Sequence, residues 1–439
     1  MFSENPVLTF CLFLLGLFLG ASANIIAEKL AFFQKSYREK WIHFLPLIGV
    51  FFVSHDRSFL FSRAFLRSVF LELFMGVFIV WFYGFHVLRV EALAPEHFTF
   101  TYGEMLTLHG RFLFQSLLIV LLLAASLIDL DEKMIPDAIT LPATLFALFV
   151  AALFPVSFSV EKPASVFSES FNSEQVLIQP VSFMLYFPEI FWNTSESERP
   201  LLFPLTPTAP DFPPEDVIRG EGDTAGLWGL VTGLLCWWLW CFGLMPRQWR
   251  MNHGLSMAWK IFCARLQRER STHFLLFLGN LGTVFIMIIW YLMPFQWFWL
   301  WTALVGMALS GGMMWCVRFI SSVAMGREAM GFGDVVLMAM LGAFLGWQPC
   351  VVLFFIAPFV GLFLGILLVI IRGDTEIPYG PFLCLAAVIT MIFWQTIWEK
   401  TLPIFNLGST LFLFGAVCLV CMGILLLILR GVKKCLRIS

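Results

Sequence analysis

Charge is scarce in this chain. Asp, Glu, Lys and Arg together make up 13% of its 439 residues, about half the quarter or so found in soluble domains. Hydrophobic residues make up 60%, and Phe alone fills 51 positions. A soluble fold needs polar groups to cover its outside, so this composition excludes an ordinary soluble globule and a disordered chain. A basic excess is missing as well. The formal net charge is -2, which offers nucleic acid no electrostatic footprint. The ten cysteines form no disulfide ladder, because most lie in or beside apolar runs. The one CxxC, Cys418 to Cys421, is inside such a run, where helix packing is its expected use. Residues 28–71 contain no cysteine at all, and the histidines there, His43 and His55, are too few for a four-ligand zinc site.

Long apolar runs are what the chain has in abundance. A membrane helix needs about 20 mostly apolar residues. Uncharged stretches cover 5–27, 73–88, 112–128, 138–160, 224–246, 271–317, 335–371, 377–398 and 401–429. Splitting 271–317 at Pro294 and 335–371 near Pro349 gives about 11 spans, an all-α polytopic membrane bundle. The run 73–88 is the shortest, and Glu72 is expected at its interface. The run 5–27 has no basic segment before it and reads as a span, not a removable signal.

Lys and Arg set the orientation. Seven lie in 28–71, six in 247–270 and four from Arg430 onward. An outside N-terminus and a cytoplasmic C-terminus put all three clusters in the cytoplasm. The same parity puts 155–223 outside, with its eleven acids, three basic residues and net charge of -8. The apolar segment 41–53 is too short to cross and reads as interfacial. The chain divides into an N-terminal membrane region with a basic loop (1–110), a helix pair (111–154), an acidic extracytoplasmic insertion (155–223), additional spans (224–302) and a last membrane region (303–439).

Two acidic sites fall on one side of this topology. Asp129 follows the run 112–128, and Asp334, in Gly331-Phe332-Gly333-Asp334, precedes the run that starts at Val335. Carboxylates at a membrane edge are costly without a partner or a purpose. Asp334 reads either as a helix N-cap or as a chemical group. Asp129 reads either as a solvated acid beside Lys133 or as its counterpart. If the two converge, like charges resist joint ionisation and the pair holds one proton. The ionised carboxyl then takes a proton from water while the protonated one polarises an amide carbonyl.

The motifs, taken in order, resemble those of the type IV prepilin peptidases, the GxGD membrane aspartic proteases that process pilus and type II secretion substrates. Gly20-Ala21-Ser22-Ala23-Asn24 resembles the first-helix pattern, and Leu45-Pro46-Leu47 with Glu72 to Gly76 the pair that follows. Asp129-Leu130 through Ile135-Pro136-Asp137, Gly331 to Asp334, and Ile377-Pro378-Tyr379-Gly380-Pro381-Phe382 resemble the family's remaining signatures. The resemblance implies a catalytic pair of Asp129 and Asp334, supported by Gly331, Gly333, Pro136, Asp137, Pro378, Gly380 and Pro381. Asp131 and Asp137 are expected to be non-catalytic. It implies proteolysis without a cofactor or metal, prepilin or pseudopilin substrates, surrounding lipid and no nucleic-acid partner, in a bacterial inner membrane. It also implies a methyl-transfer function using S-adenosylmethionine, for which Gly20, Asn24 and Glu72 persist.

Three features depart from the family pattern. The CxxC pairs of the first cytoplasmic loop are absent, Val336 stands where the family places a Lys, and the insertion 155–223 stretches the distance between motifs. Two other function classes compete. A proton-coupled transporter needs acids at mid-span, whereas these stand at span ends. A non-catalytic assembly factor has no need of both Asp motifs.

Overall fold

The computed structural model describes residues 6–31, 46, 63–88, 102–153, 184–186, 202–204, 227–245, 270–326, 330–372, 378–405 and 409–435. These form eleven α-helices: α1 (Pro6–Leu30), α2 (Arg63–Tyr83), α3 (Tyr102–Glu132), α4 (Asp137–Leu153), α5 (Leu227–Leu244), α6 (Arg270–Leu292), α7 (Pro294–Met325), α8 (Phe332–Leu345), α9 (Trp347–Arg372), α10 (Gly380–Phe405) and α11 (Ser409–Cys435). A π-helical turn, Gly84–Leu88, extends α2. Strands β1 (Met184–Tyr186) and β2 (Leu202–Pro204) pair antiparallel within the acidic insertion, the one non-helical element among the described residues. Apart from Pro46, the segment 41–53 lies outside the described residues, as does 247–270 up to Arg270.

Seven of the helices are long and apolar enough to cross a membrane, and four shorter apolar ones accompany them. Their outward faces carry Phe10, Phe277, Phe359, Phe363 and Ile370, all more than half exposed. Such a surface suits lipid, where apolar side chains have no water to avoid.

Helix ends differ from the uncharged runs for an identifiable reason: charges enter helices where a partner or the bundle interior receives them. Helix α2 starts at Arg63 and contains Arg67 and Glu72, so Glu72 lies inside the helix and not at its start. It is 0% exposed and accepts a hydrogen bond from Asn24 of α1 at 3.3 Å. Helix α3 runs through the buried Arg111 and on past Asp129 to Glu132. Helix α10 continues through Glu399 and Lys400 to Phe405. Pro294 opens α7 as expected. The other break falls at Gly346, whose φ of 83° suits a residue without Cβ, while Pro349 sits inside the first turn of α9. A first-turn Pro loses no intrahelical hydrogen bond.

Small residues let the helices approach closely. A Cβ on Gly20 would stand 2.8 Å from the Cα of Glu72, and one on Gly76 2.7 Å from the Phe13 ring, so α1 and α2 interlock. Gly306 of α7 and Gly342 of α8 face each other's carbonyls with no room for a side chain on either. Trp237 and Trp301 tie α5 to α6 and α7, donating from Nε1 to the Gly279 carbonyl (2.9 Å) and to Thr232 Oγ1 (2.8 Å). Helix α8 is buried from Asp334 to Leu345. It packs on α4, α7, α9 and α10, and α10 packs on α3. This arrangement brings the start of α8, the start of α10 and the end of α3 together.

Candidate active site

Helix α3 delivers Asp129 in its last turn. The helix closes at Lys133, whose φ of 56° is left-handed and whose N–H donates to the Asp129 carbonyl at 2.9 Å. Ile135 and Pro136 then turn inward and are buried, and the Ile139 N–H donates to the Pro136 carbonyl at 3.1 Å to begin α4. Asp137, the first residue of α4, is exposed.

Helix α8 delivers the second acid. Its N-cap is Gly331, in extended backbone and without a side-chain cap hydrogen bond. Asp334 is the third helical residue, so it is not the cap that its motif position allowed. Helix α10 delivers backbone. The Phe382 and Leu383 N–H groups donate to the Tyr379 carbonyl at 3.1 and 3.2 Å, and Gly380 opens the helix. Pro381 is buried in that first turn, and Pro378 precedes it.

Ile135 joins the three pieces. A Cβ built on Gly333 would stand 3.1 Å from Ile135 Cβ, and one on Gly380 would stand 3.0 Å from Ile135 Cδ1 and overlap Asp129 Oδ2. The Gly380 N–H donates to the Asp129 carboxylate. Asp129 is 4% exposed and Asp334 8%. Asp129 and Asp334 are near enough for their carboxyls to interact, and Cys384, one turn into α10, lies near both. Asp129 Oδ2 is buried with no hydrogen-bond partner among the described residues. Two buried carboxyls therefore share one end of the bundle, with an acceptor oxygen still open.

The remaining sequence-derived residues separate cleanly. Asp131 points the other way, into an ion pair with Arg67 of α2, whose Nη1 reaches both carboxylate oxygens at 2.7 and 3.0 Å. Val336 is 3% exposed in the α8 core, where a Lys would bury its charge. Gly20, Asn24 and Glu72 meet at the α1–α2 seam, where Asn24 Nδ2 also donates to the Ser68 carbonyl at 3.2 Å. Among the described residues no cluster of three or more His, Cys, Asp or Glu side chains can hold a metal; His43 and His55 lie outside them. Sequence reasoning passed over Ile135, Tyr379 and Cys384 as parts of the site. The first two stand inside quoted motifs, and that position was the only signal they gave.

Comparison with known proteins agrees with the motif resemblance. Residues 271–366 match the Type IV leader peptidase family, a segment that includes Asp334 but not Asp129 or Gly380. The chain is similar to proteins named "Prepilin leader peptidase/N-methyltransferase". It is 34% identical to that of Aeromonas hydrophila over 98 residues, covering 22% of this chain and 34% of the relative. The Pseudomonas aeruginosa protein is 36% identical over 93 residues, 20% of this chain and 32% of the relative. The Legionella pneumophila protein is 43% identical over 71 residues, 16% and 24% respectively. The chain thus spans about a third or less of the length of these curated relatives. No solved structure matches it.

Proposed function

We propose that this chain is a membrane-embedded aspartic endopeptidase that removes the leader from prepilin-like or pseudopilin-like substrates, with Asp129 and Asp334 as its catalytic pair. The observation that carries the reading is that two buried carboxyls, 205 positions apart in sequence, come to one end of the bundle around Ile135 and Gly380. The relatives' names support the substrate class.

In this reading one carboxyl of the pair is ionised and the other protonated. The ionised one takes a proton from water as the water oxygen bonds to the amide carbonyl carbon. The protonated one donates to the carbonyl oxygen. Collapse breaks the C–N bond, and the amine leaves with a proton from the pair. The Gly380 backbone abuts Asp129 and limits where its carboxyl can sit. No covalent intermediate forms.

We place the pair at the cytoplasmic face of a bacterial inner membrane, with eleven spans, the N-terminus outside and the C-terminus inside. Residues 111–154 and 303–439 carry the peptidase in this scheme, and 155–223 projects outward. The seven candidate spans, the four shorter apolar helices and the basic clusters are consistent with this topology. A substrate with a basic leader and an apolar helix then has its junction at the depth of Asp129.

The word N-methyltransferase in the relatives' names raises a second activity on the new N-terminus, with S-adenosylmethionine as methyl donor. Gly20, Asn24 and Glu72 do not fit an open cradle for it. Gly20 is packed against the Glu72 backbone, Glu72 is 0% exposed, and the Asn24 amide is spent on Glu72 and Ser68. Of the three, only Asn24 lines the small neighbouring pocket, with Glu28, Arg67, Ser68 and Asp131.

Mass spectrometry of a prepilin-like substrate incubated with membranes holding the full chain, in water enriched in oxygen-18, tests the reading. It predicts one cut at the leader junction and solvent oxygen in the leader's new carboxyl group. An uncut substrate contradicts it.

A further inference from the structure

The turn that presents Asp334 has little of its own to hold it. Gly331 caps α8 without a side-chain hydrogen bond, and Gly333 contributes only backbone. Two glycines in four residues leave the chain free to adopt many conformations. Something outside α8 has to fix where it starts.

Two arginines meet this connection from other helices. Arg318 lies half-buried on α7, about two turns before its end, and donates from Nε to the Met330 carbonyl at 3.0 Å. Its guanidinium carbon stands 5.5 Å from the centroid of the Phe332 ring. These two contacts fall on either side of Gly331. Arg430 of α11 holds the far end of the connection. Its Nη1 donates to the Ala324 carbonyl at 3.2 Å, and its guanidinium fills the space beside Gly326, whose φ is 69°. No helical register explains this pairing of a planar donor with a ring across a glycine.

We propose that Arg318 is a positioning residue for Asp334, an inference that rests on the proteolytic reading above. The hydrogen bond to Met330 fixes the distance of the turn from α7. The guanidinium over the Phe332 ring restricts the placement of Phe332, and with it the direction of the first turn of α8. Arg suits both tasks, because its planar group stacks on a ring while donating in its own plane. Lys keeps the charge and loses that geometry. Arg430 secures the α7 end, so the connection is clamped at two points. Misplacement of a reacting group by about 1 Å costs up to about a hundredfold in rate, and Asp334 is only two residues from Phe332.

The test uses the full chain in detergent, with Arg318→Ala, Arg318→Lys and Phe332→Leu variants. Hydrogen exchange is read at the amides of 330–335, and kcat and KM are read on a prepilin-like substrate. Arg318→Ala is expected to speed exchange across 330–335 while α1 and α2 exchange as in wild type. It should lower kcat about tenfold or more with KM unchanged. Arg318→Lys should recover less than half of the lost kcat. Adding Phe332→Leu to Arg318→Ala should cost little more, because both act through one contact. Unaltered exchange, an unaltered kcat, or a Lys variant equal to wild type overturns the inference. A wild type that cuts nothing, with exchange still raised in Arg318→Ala, overturns the proteolytic reading and leaves the anchoring in place.

Discussion

Gly380 lies so close to Asp129 that any side chain at position 380 would overlap the carboxylate oxygen Oδ2. The contact joins the first residue of α10 to the last turn of α3, and the Gly380 N–H donates across it. Gly380→Ala is therefore expected to displace Asp129 and lower cleavage about a hundredfold while the chain still inserts. Gly415→Ala serves as the control, since nothing lies within 4 Å of a Cβ there. Cleavage assays on membranes of matched protein content decide between them.

The α7–α8 seam makes a second prediction. Gly306 and Gly342 each face the other's carbonyl without space for a Cβ. Gly342→Val is expected to part the helices at a cost of about 1–3 kcal/mol and to shift the start of α8 with them. Thermal unfolding in detergent should fall for this variant and stay unchanged for Gly312→Ala, which meets nothing within 4 Å.

Much of this was legible before any coordinates. Scarce charge made the spans visible, and Asp129, Asp334, Gly331, Gly333 and Gly380 each stood in an ordered motif. What stayed hidden depends on contacts between distant segments. Arg67 and Glu72 looked like the end of a helix, yet Asp131 and Asn24 receive them inside one. Pro349 looked like the break, but the helix could absorb a proline in its first turn and left the turn to Gly346. Ile135 is an unremarkable hydrophobe in sequence and becomes the wedge between Gly333 and Gly380 only once three helix ends meet.

The buried Asn24–Glu72 contact yields a third prediction. Asn24 is 4% exposed and donates to both Glu72 and the Ser68 carbonyl. Asn24→Leu removes these donors from buried acceptors, a loss of about 1–3 kcal/mol. The unfolding midpoint in detergent should drop, whereas Ser22→Ala, at an exposed site, should leave it in place.

The Arg67–Asp131 pair is expected to matter much less. It is an exposed ion pair, and such pairs contribute about 0–1 kcal/mol. A double-mutant cycle on stability should give a coupling in that range that shrinks further in high salt. Asp131→Asn should retain measurable cleavage.

The central claim is that Asp129 and Asp334 act as one proton-sharing pair. Its most direct test is cleavage of a prepilin-like substrate by Asp129→Asn and Asp334→Asn enzymes, compared with wild type and Asp131→Asn. Asn keeps the size of Asp and its ability to accept hydrogen bonds but cannot exchange the proton. The account predicts that both Asn enzymes insert normally and cut nothing, while wild type and Asp131→Asn cut at the leader junction. Full cleavage by either Asp129→Asn or Asp334→Asn contradicts it.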